Sequence, residues 1–188
     1  MSAMTKLVYS MITSLDGYIA DESGDIVWGA PDAEVGAFVN EMERGVGTVL
    51  YGRRMYETMV FWETFVGTDD DPIERDFAER WRSQDKIVFS TTLTETSSAR
   101  TRIERSFVPD EVQRLKDTAT ADITIAGPHL ASQAIEARLV DEMHMYVAPV
   151  TLGGGTSAYP GDALTPLELV DVHRFESGFI HLRYRLNG

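Results

Sequence analysis

The amino-acid sequence predicts an α/β fold: a largely parallel sheet with helices on both faces. Three observations carry this. Strand-like apolar runs recur along the chain with helical segments between them, the pattern of strand–helix–strand crossovers. The 188 residues, 43% of them hydrophobic, suffice for one domain with a sizeable core. The closing run alternates apolar and polar residues, as an antiparallel strand with one wet face would. No repeat and no long linker divides the chain, so residues 1–188 read as a single domain.

The elements follow in order. "KLVYSMI" (6–12) is the first strand. "PDAEVGAFVNEMERG" (31–45) is a helix that Asp32 can cap; Val35, Phe38, Val39 and Met42 form its apolar stripe and Gly45 ends it. "GTVLYG" (47–52) is a short apolar strand, and "RRMYETM" follows it. "ERDFAERWRS" (74–83) is a polar helix with Phe77 and Trp81 on one side. "KIVFS" (86–90) is a strand, and "PDEVQRLKDTA" (109–119) is a helix opened by Pro109 and two acids. "EMHMYVAPV" (142–150) is a strand, and "RFESGFIHLRYRL" (174–186) closes the chain as its antiparallel partner at one edge. In that last run Ile180, Leu182, Tyr184 and Leu186 alternate with His181, Arg183 and Arg185. "DDD" (69–71) and "TETSSART" (94–101) read as loops.

"ITIAGPHLASQAI" (123–135) joins a β-branched strand to a helix through Gly127 and Pro128. So short a joint leaves the N–H groups of the first helical turn free and approachable, which is how a protein holds a phosphate. The same joint also reads as a tight turn and nothing more.

Composition removes several classes of function. A net charge of −13 argues against nucleic acid as a main partner. Any cationic pocket must therefore be local. With no cysteine there is no disulfide, no thiolate nucleophile and no Cys-based zinc site. The four histidines lack metal-ligand spacing, so no metal is expected; His144 and His181 read as ordinary polar residues on strand faces. The N-terminus has no basic segment leading into a long apolar run, and no stretch approaches membrane-spanning length. The expected location is the cytoplasm.

Ligands of open α/β sheets bind beyond the carboxyl ends of the parallel strands. Those ends carry Gly52-Arg53-Arg54, Ser90-Thr91-Thr92 and Gly127-Pro128-His129. Two guanidinium groups, a set of hydroxyls and a bare helix N-terminus together suit a dinucleotide. Taken singly, the arginines also read as solvated at a helix start, and the hydroxyls as caps of a turn. There is no GxGxxG after a strand, no GxxxxGK[ST], no HExxH and no GxSxG. Hydride transfer needs none of these, only a bound nicotinamide and a well-placed substrate.

"YSMITSLDGYIA", "TVLYGRRMYE", "KIVFSTT", "TIAGPHLASQAI" and "DEMHMYVAPVTLGGG" stand in the order seen in the dihydrofolate-reductase-like superfamily. Over about residues 6–186 the chain most resembles the reductase domain of the riboflavin-biosynthesis deaminase–reductase. The resemblance implies a three-layer sandwich with a mostly parallel central sheet and antiparallel C-terminal edge strands. It implies NADPH as hydride donor, a pyrimidine- or pterin-like small molecule as substrate, and a homodimer. Gly52, Arg53 and Arg54 would hold cofactor phosphates, with Ser90 and Thr91 near the 2′-phosphate and Gly127, Pro128, His129 and Leu130 on the pyrophosphate. Asp16 and Gly17 would border the nicotinamide and the substrate, and Gly153, Gly154 and Gly155 would form a loop beside them.

Two departures stand out. Dihydrofolate reductases carry two adjacent glycines where this chain has Ala126-Gly127. The deaminase half of the riboflavin enzyme needs zinc held by His and Cys; with no Cys and no room for that domain, deamination is not expected.

The leading expectation is thus an NADPH-dependent reductase resembling 5-amino-6-(5-phosphoribosylamino)uracil reductase. Dihydrofolate reduction is the alternative and would need Glu34 to face a pterin, although Glu34 also reads as a first-turn acid favoured by the helix dipole. A nucleotide-binding module without turnover is the alternative of another class. Asp16 and Glu34 are the candidate proton donors, on the expectation that partial burial raises the pKa of such a carboxyl group. The homodimer has a local motive too: "EMHMYVAPV" and the final strands carry apolar residues that a sheet edge would leave exposed.

Overall fold

A computed structural model describes residues 5–68, 71–159, 161 and 164–186. Asp69 and Asp70 of the acidic turn lie outside the described residues. The strands are β1 (Leu7–Thr13), β2 (Tyr18–Ala20), β3 (Val46–Gly52), β4 (Asp85–Phe89), β5 (Thr101–Glu104), β6 (Asp122–Ala126), β7 (Glu142–Val147), β8 (Thr156–Ser157), β9 (Leu167–Arg174) and β10 (Ile180–Leu186). The helices are α1 (Ala33–Met42), α2 (Arg53–Met59), α3 (Phe61–Thr64), α4 (Pro72–Ser83), α5 (Pro109–Thr118) and α6 (Pro128–Glu136). Eight strands form one sheet in the order β5-β4-β3-β6-β1-β7-β10-β9, and β2 pairs with β8 separately. The first six of that order run parallel, while β10 is antiparallel to both β7 and β9.

Parallel crossovers are right-handed, so connections that move in opposite directions along a sheet lie on opposite faces. β1–α1–β3 and β3–β4 move toward β5; β5–α5–β6 and β6–α6–β7 move back. The core divides accordingly. Leu7, Tyr9, Leu50, Ile123, Ile125, Met143 and Met145 meet Val112 of α5 and Leu130, Ala131 and Ala134 of α6. On the other face Val35 of α1 packs with Tyr146, Phe175 and Phe179, while Tyr56 of α2 and Trp81 of α4 pack with Val49, Tyr51 and Val88. These strands are apolar on both faces because both faces are covered.

The sheet corrects several expectations. Residues 142–147 are not an edge; β7 lies between β1 and β10 and is almost wholly buried. The edge on that side is β9, whose charged and apolar residues are interleaved without the clean alternation that marks a strand. β5 begins at Thr101, inside the segment read as a loop, because only Ile103 in it is apolar. The closing strand departs from its pattern at its first residues, where His181 is buried and Ile180 is exposed, while Leu182, Tyr184 and Leu186 pack against the core as the alternation predicts. His181 lies beneath Phe38 of α1 and beside Tyr146, with ring centroids 5.0 and 4.7 Å away. At His181 the cover of α1, not the polarity of the side chain, decides burial.

That burial has a consequence with pH. Neither ring nitrogen of His181 has a hydrogen-bond partner among the described residues. Burial, together with His144 nearby, pushes its pKa down from 6.5 to about 4. Below pH 6.5 the unfolded chain takes up a proton that the folded chain refuses until about pH 4, so stability is full above 6.5 and falls across that window. Glu142 adds a lower window, from 4.5 to about 2: burial raises its pKa, but hydrogen bonds from Arg183, Lys6 and His144 outweigh that. Thermal unfolding followed from pH 7 to pH 4 will show a falling midpoint, and His181→Phe will flatten that fall.

Candidate functional site

β3 and β6 are neighbours whose following connections leave in opposite directions on opposite faces. This opens a crevice beyond their carboxyl ends, the usual ligand position in an open α/β sheet. Gly52 ends β3 and precedes α2; no side chain caps that helix, and a Cβ at Gly52 would meet open space. Gly127 ends β6 with φ +99°, a conformation that glycine adopts without steric cost. A Cβ there would approach only Met55 of α2, at 3.7 Å. Pro128 then opens α6, again with no capping side chain and no acid in the first turn. The two corners therefore face each other with backbone exposed. Ala126, where dihydrofolate reductases have a second glycine, packs its methyl into the core beside Tyr51 and Val88.

The structure brings most of the predicted residues to this crevice but gives them different tasks. The Arg53 guanidinium is held by Glu57 and by the Thr92 hydroxyl, each at 2.7 Å. Chain spacing does not reveal that brace, because the contact to Thr92 joins segments that follow two different strands. The Arg54 guanidinium has no partner among the described residues and lies exposed. Ser90 is buried, and its Oγ accepts the Leu93 N–H at 2.9 Å, so it caps the turn after β4. Thr91 is exposed on that turn, and His129 is exposed in the first turn of α6.

The other half of the carboxyl edge is built by the loops after β1 and β7. The Leu15 N–H donates to the Val150 carbonyl. The Asp16 carboxylate accepts the N–H groups of Leu152 and Gly153 at 3.0 and 2.7 Å and the Ser14 hydroxyl at 2.7 Å. Gly17, at φ +86°, accepts the Ala158 N–H through its carbonyl, and Tyr9 Oη donates to the Ala158 carbonyl at 2.7 Å. Gly155 lies so close to the chain at Ala20 that a Cβ would sit 2.0 Å from its carbonyl oxygen. Gly153 keeps open space beside it, and Gly154 faces the Glu22 carboxylate.

Both candidate proton donors are corrected here. The Asp16 carboxyl is exposed, and hydrogen bonds from Ser14, Gly153 and Leu152 hold its pKa down at about 2 instead of raising it. It is a carboxylate that fastens one loop to another. Glu34 is exposed in the first turn of α1 and accepts the Glu176 N–H at 3.0 Å, so it holds the β9–β10 turn. A separate cavity of about 100 Å³ lies at the opposite, amino end of the strands, among Lys6, Glu142, His144 and Arg183. Its two cations are both paired with Glu142, Lys6 at 2.7 Å and Arg183 at 2.9 Å, and Glu43, whose pKa burial pushes up to about 7, also lines it.

Residues 5–181 match the family model described as the RibD C-terminal domain. The chain belongs to the RibD C-terminal domain family. Among its relatives, this RibD C-terminal domain is 28% identical over 188 residues to the YyaP protein of Bacillus subtilis (strain 168), covering 97% of this chain and 96% of YyaP. The crystal structure of a protein from Shewanella sp. PV-4, provisionally ascribed to riboflavin biosynthesis, matches it with a TM-score of 0.76 at 20% identity, over 98% of this chain and all of that one. A Thermotoga maritima diaminohydroxyphosphoribosylaminopyrimidine deaminase/5-amino-6-(5-phosphoribosylamino)uracil reductase matches with a TM-score of 0.65 at 16% identity. There the match covers 98% of this chain and 57% of the Thermotoga protein. The chain thus has the dihydrofolate-reductase-like architecture expected of it, a mostly parallel sheet with antiparallel strands at its C-terminal edge.

The role of Asp16 as a fastener is open to measurement. Asp16→Asn keeps the shape but loses the charge that holds two amides at once. Amide hydrogen exchange at Leu152 and Gly153 will quicken in the variant while the core strands keep their protection.

Proposed function

We propose that this protein is an NADPH-dependent reductase that delivers hydride to a pyrimidine- or pterin-like ring. The observation that carries this reading is the crevice between β3 and β6. In a chain of net charge −13, the helix after β3 carries Arg54, exposed and without a partner among the described residues, and the helix after β6 has an uncapped N-terminus. The residues fit a dinucleotide: Gly52 and Gly127 leave the space that side chains would fill, and no side chain caps the amides after Gly127.

In this reading the amides at His129 and Leu130 bind the pyrophosphate. Arg54 takes the 2′-phosphate that distinguishes NADPH from NADH, and Arg53 stays braced on Glu57 and Thr92, fixing the turn that carries Thr91. NADPH supplies the hydride. The loops at Asp16–Gly17 and Gly153–Gly155 border the reacting ring and shut out one side of it. Asp16 is an acceptor fixed on backbone amides, so the proton that accompanies the hydride comes from water. The protein acts in the cytoplasm.

It also works as a homodimer, through β9. Leu167, Leu169 and Val172 are exposed on that edge. A bulge in the pairing with β10 puts Leu169 and Val172 on one face, opposite Tyr184 and Leu182. Across a two-fold axis between Val170 and Asp171, Leu169 would meet Val172 and Glu168 would meet His173. Sedimentation at micromolar concentration should give a dimer; a monomer refutes this.

The activity is tested by following NADPH absorbance with a panel of pterins, dihydrofolate, ribosylaminopyrimidines and flavins. Oxidation with a pyrimidine or pterin is expected; binding of NADPH without oxidation by any panel member makes the protein a nucleotide-binding module. A hydrogen bond to a charged group is worth about 1.5–3 kcal/mol, so Arg54→Ala should weaken NADPH binding by roughly ten- to a hundredfold. NADH binding should change much less. Equal losses for both cofactors would move Arg54 to the pyrophosphate.

A further inference from the structure

We propose that the substrate of this site is a neutral, planar heterocycle that carries no phosphate, a statement that rests on the reductase reading above. The Thermotoga relative is named for a reductase whose substrate bears a phosphoribosyl group. The half of the carboxyl edge left for substrate in this chain, built by the loops after β1 and β7 and the start of α1, offers such a group no lysine or arginine of its own.

The sequence has no lysine or arginine between Lys6 and Arg44, and none between Arg138 and Arg174. The cations that bound these stretches are elsewhere. Lys6 is at the amino end of β1, paired with Glu142, and Arg44 is at the far end of α1 against Glu41. Arg174 stands opposite Ile180 on the outermost strand. Its face is the one away from α1, since His181, next to Ile180, is the residue that meets Phe38. From the neighbouring helices, Arg82 is spent on the carbonyls of Trp62 and Phe65, and Arg75 lies against the turn at Gly67.

The helix N-terminus on this side is closed as well. Asp32 caps α1 by accepting the Val35 N–H at 2.9 Å, and Glu34 sits in the first turn. These two carboxylates occupy the place where α6 offers bare amides. Asp16, Asp21, Glu22 and Asp25 add negative charge in the adjoining loops. A dianionic phosphate brought here would be repelled by these carboxylates, over a range set by salt, with no lysine or arginine of the same segments to offset them.

What the same loops do present is apolar. Leu15, Ile26 and Val27 are 69%, 47% and 72% exposed. Leu15 projects from backbone bonded to Val150, next to the Asp16 fastening. The turn at Val27–Gly29 abuts the end of β1, where a Cβ at Gly29 would lie 3.1 Å from Ile12. Rigid backbone holding exposed aliphatic side chains suits the face of a ring.

The test uses matched pairs: 5-amino-6-(ribosylamino)uracil with its 5′-phosphate, and a hydroxyalkyl pterin with its phosphate ester. Binding of each to the NADP⁺-saturated protein is measured by calorimetry at two ionic strengths, and turnover with NADPH is measured separately. The unphosphorylated member of at least one pair should bind about tenfold tighter or better, and added salt should narrow the gap by screening the repulsion. Tighter binding of a phosphorylated member, weakened by salt, overturns the proposal, as does binding of neither member of either pair. A preference for the unphosphorylated ligand without any NADPH oxidation upholds the charge argument and rejects the reductase reading instead.

Discussion

The position of β6 between β3 and β1 is the constraint on which the site depends. β1 is the first strand in the chain and β6 the sixth, yet they pair directly, Leu7 with Ile123 and Tyr9 with Ile125. To leave room for β6, the connection through α1 must pass over it to reach β3, and the connection through α6 must pass behind β1 to reach β7. Right-handedness then sends these helices to opposite faces. The crevice at the β3–β6 corner is therefore a product of topology, and the residues at its lip did not have to create it. They had only to leave it open. Gly52 and Gly127 do this by lacking side chains, and Pro128 does it by starting a helix with no N–H of its own to satisfy.

Charge divides the carboxyl edge into two halves that the net charge conceals. Each helix N-terminus carries about half a positive charge from its unpaired amides. At α1 the chain neutralises this with Asp32 and Glu34, and it uses both to hold the β9–β10 turn: Ser177 donates to Asp32 and the Glu176 N–H to Glu34. At α6 the chain leaves the amides unpaired. The same physical feature is thus a structural joint on one side and a binding feature on the other. What separates the two is whether a carboxylate sits within the first turn.

This division was half legible in the sequence. The helix caps were visible because they are local: Asp32 stands three residues before Val35, whose amide it accepts, and Gly127-Pro128 interrupts a β-branched run. Strand order along the buried sheet was not visible, since β1, β6 and β7 are all apolar and nothing in their composition says which pairs with which. The misreadings share one cause. Asp16 took its expected role from the resemblance and Glu34 from its place on the first helix, and each is engaged by a partner that chain spacing cannot reveal; Ser90 caps its turn through Leu93, three residues on, a reading that spacing does offer. Asp16 bonds Leu152 and Gly153, and Glu34 bonds Glu176, both far away in sequence. β9 was missed for the opposite reason. It is an edge strand exposed on both faces, so no periodicity is imposed on it.

The glycine loop after β7 shows what the fastening at Asp16 achieves. A Cβ at Gly155 would collide with the Ala20 carbonyl, so the loop can lie against β2 only because that side chain is absent. Glycine alone would leave the loop free to move, since it has the widest choice of backbone conformations. The Asp16 carboxylate removes that freedom by taking the Leu152 and Gly153 amides, and Ser14 orients the carboxylate in turn. The cost is that Asp16 gives up its proton chemistry: the hydrogen bonds that fix the loop also hold the group ionised far below neutral pH. A rigid wall and a proton donor make opposite demands on one carboxyl group, and in this chain the wall has prevailed.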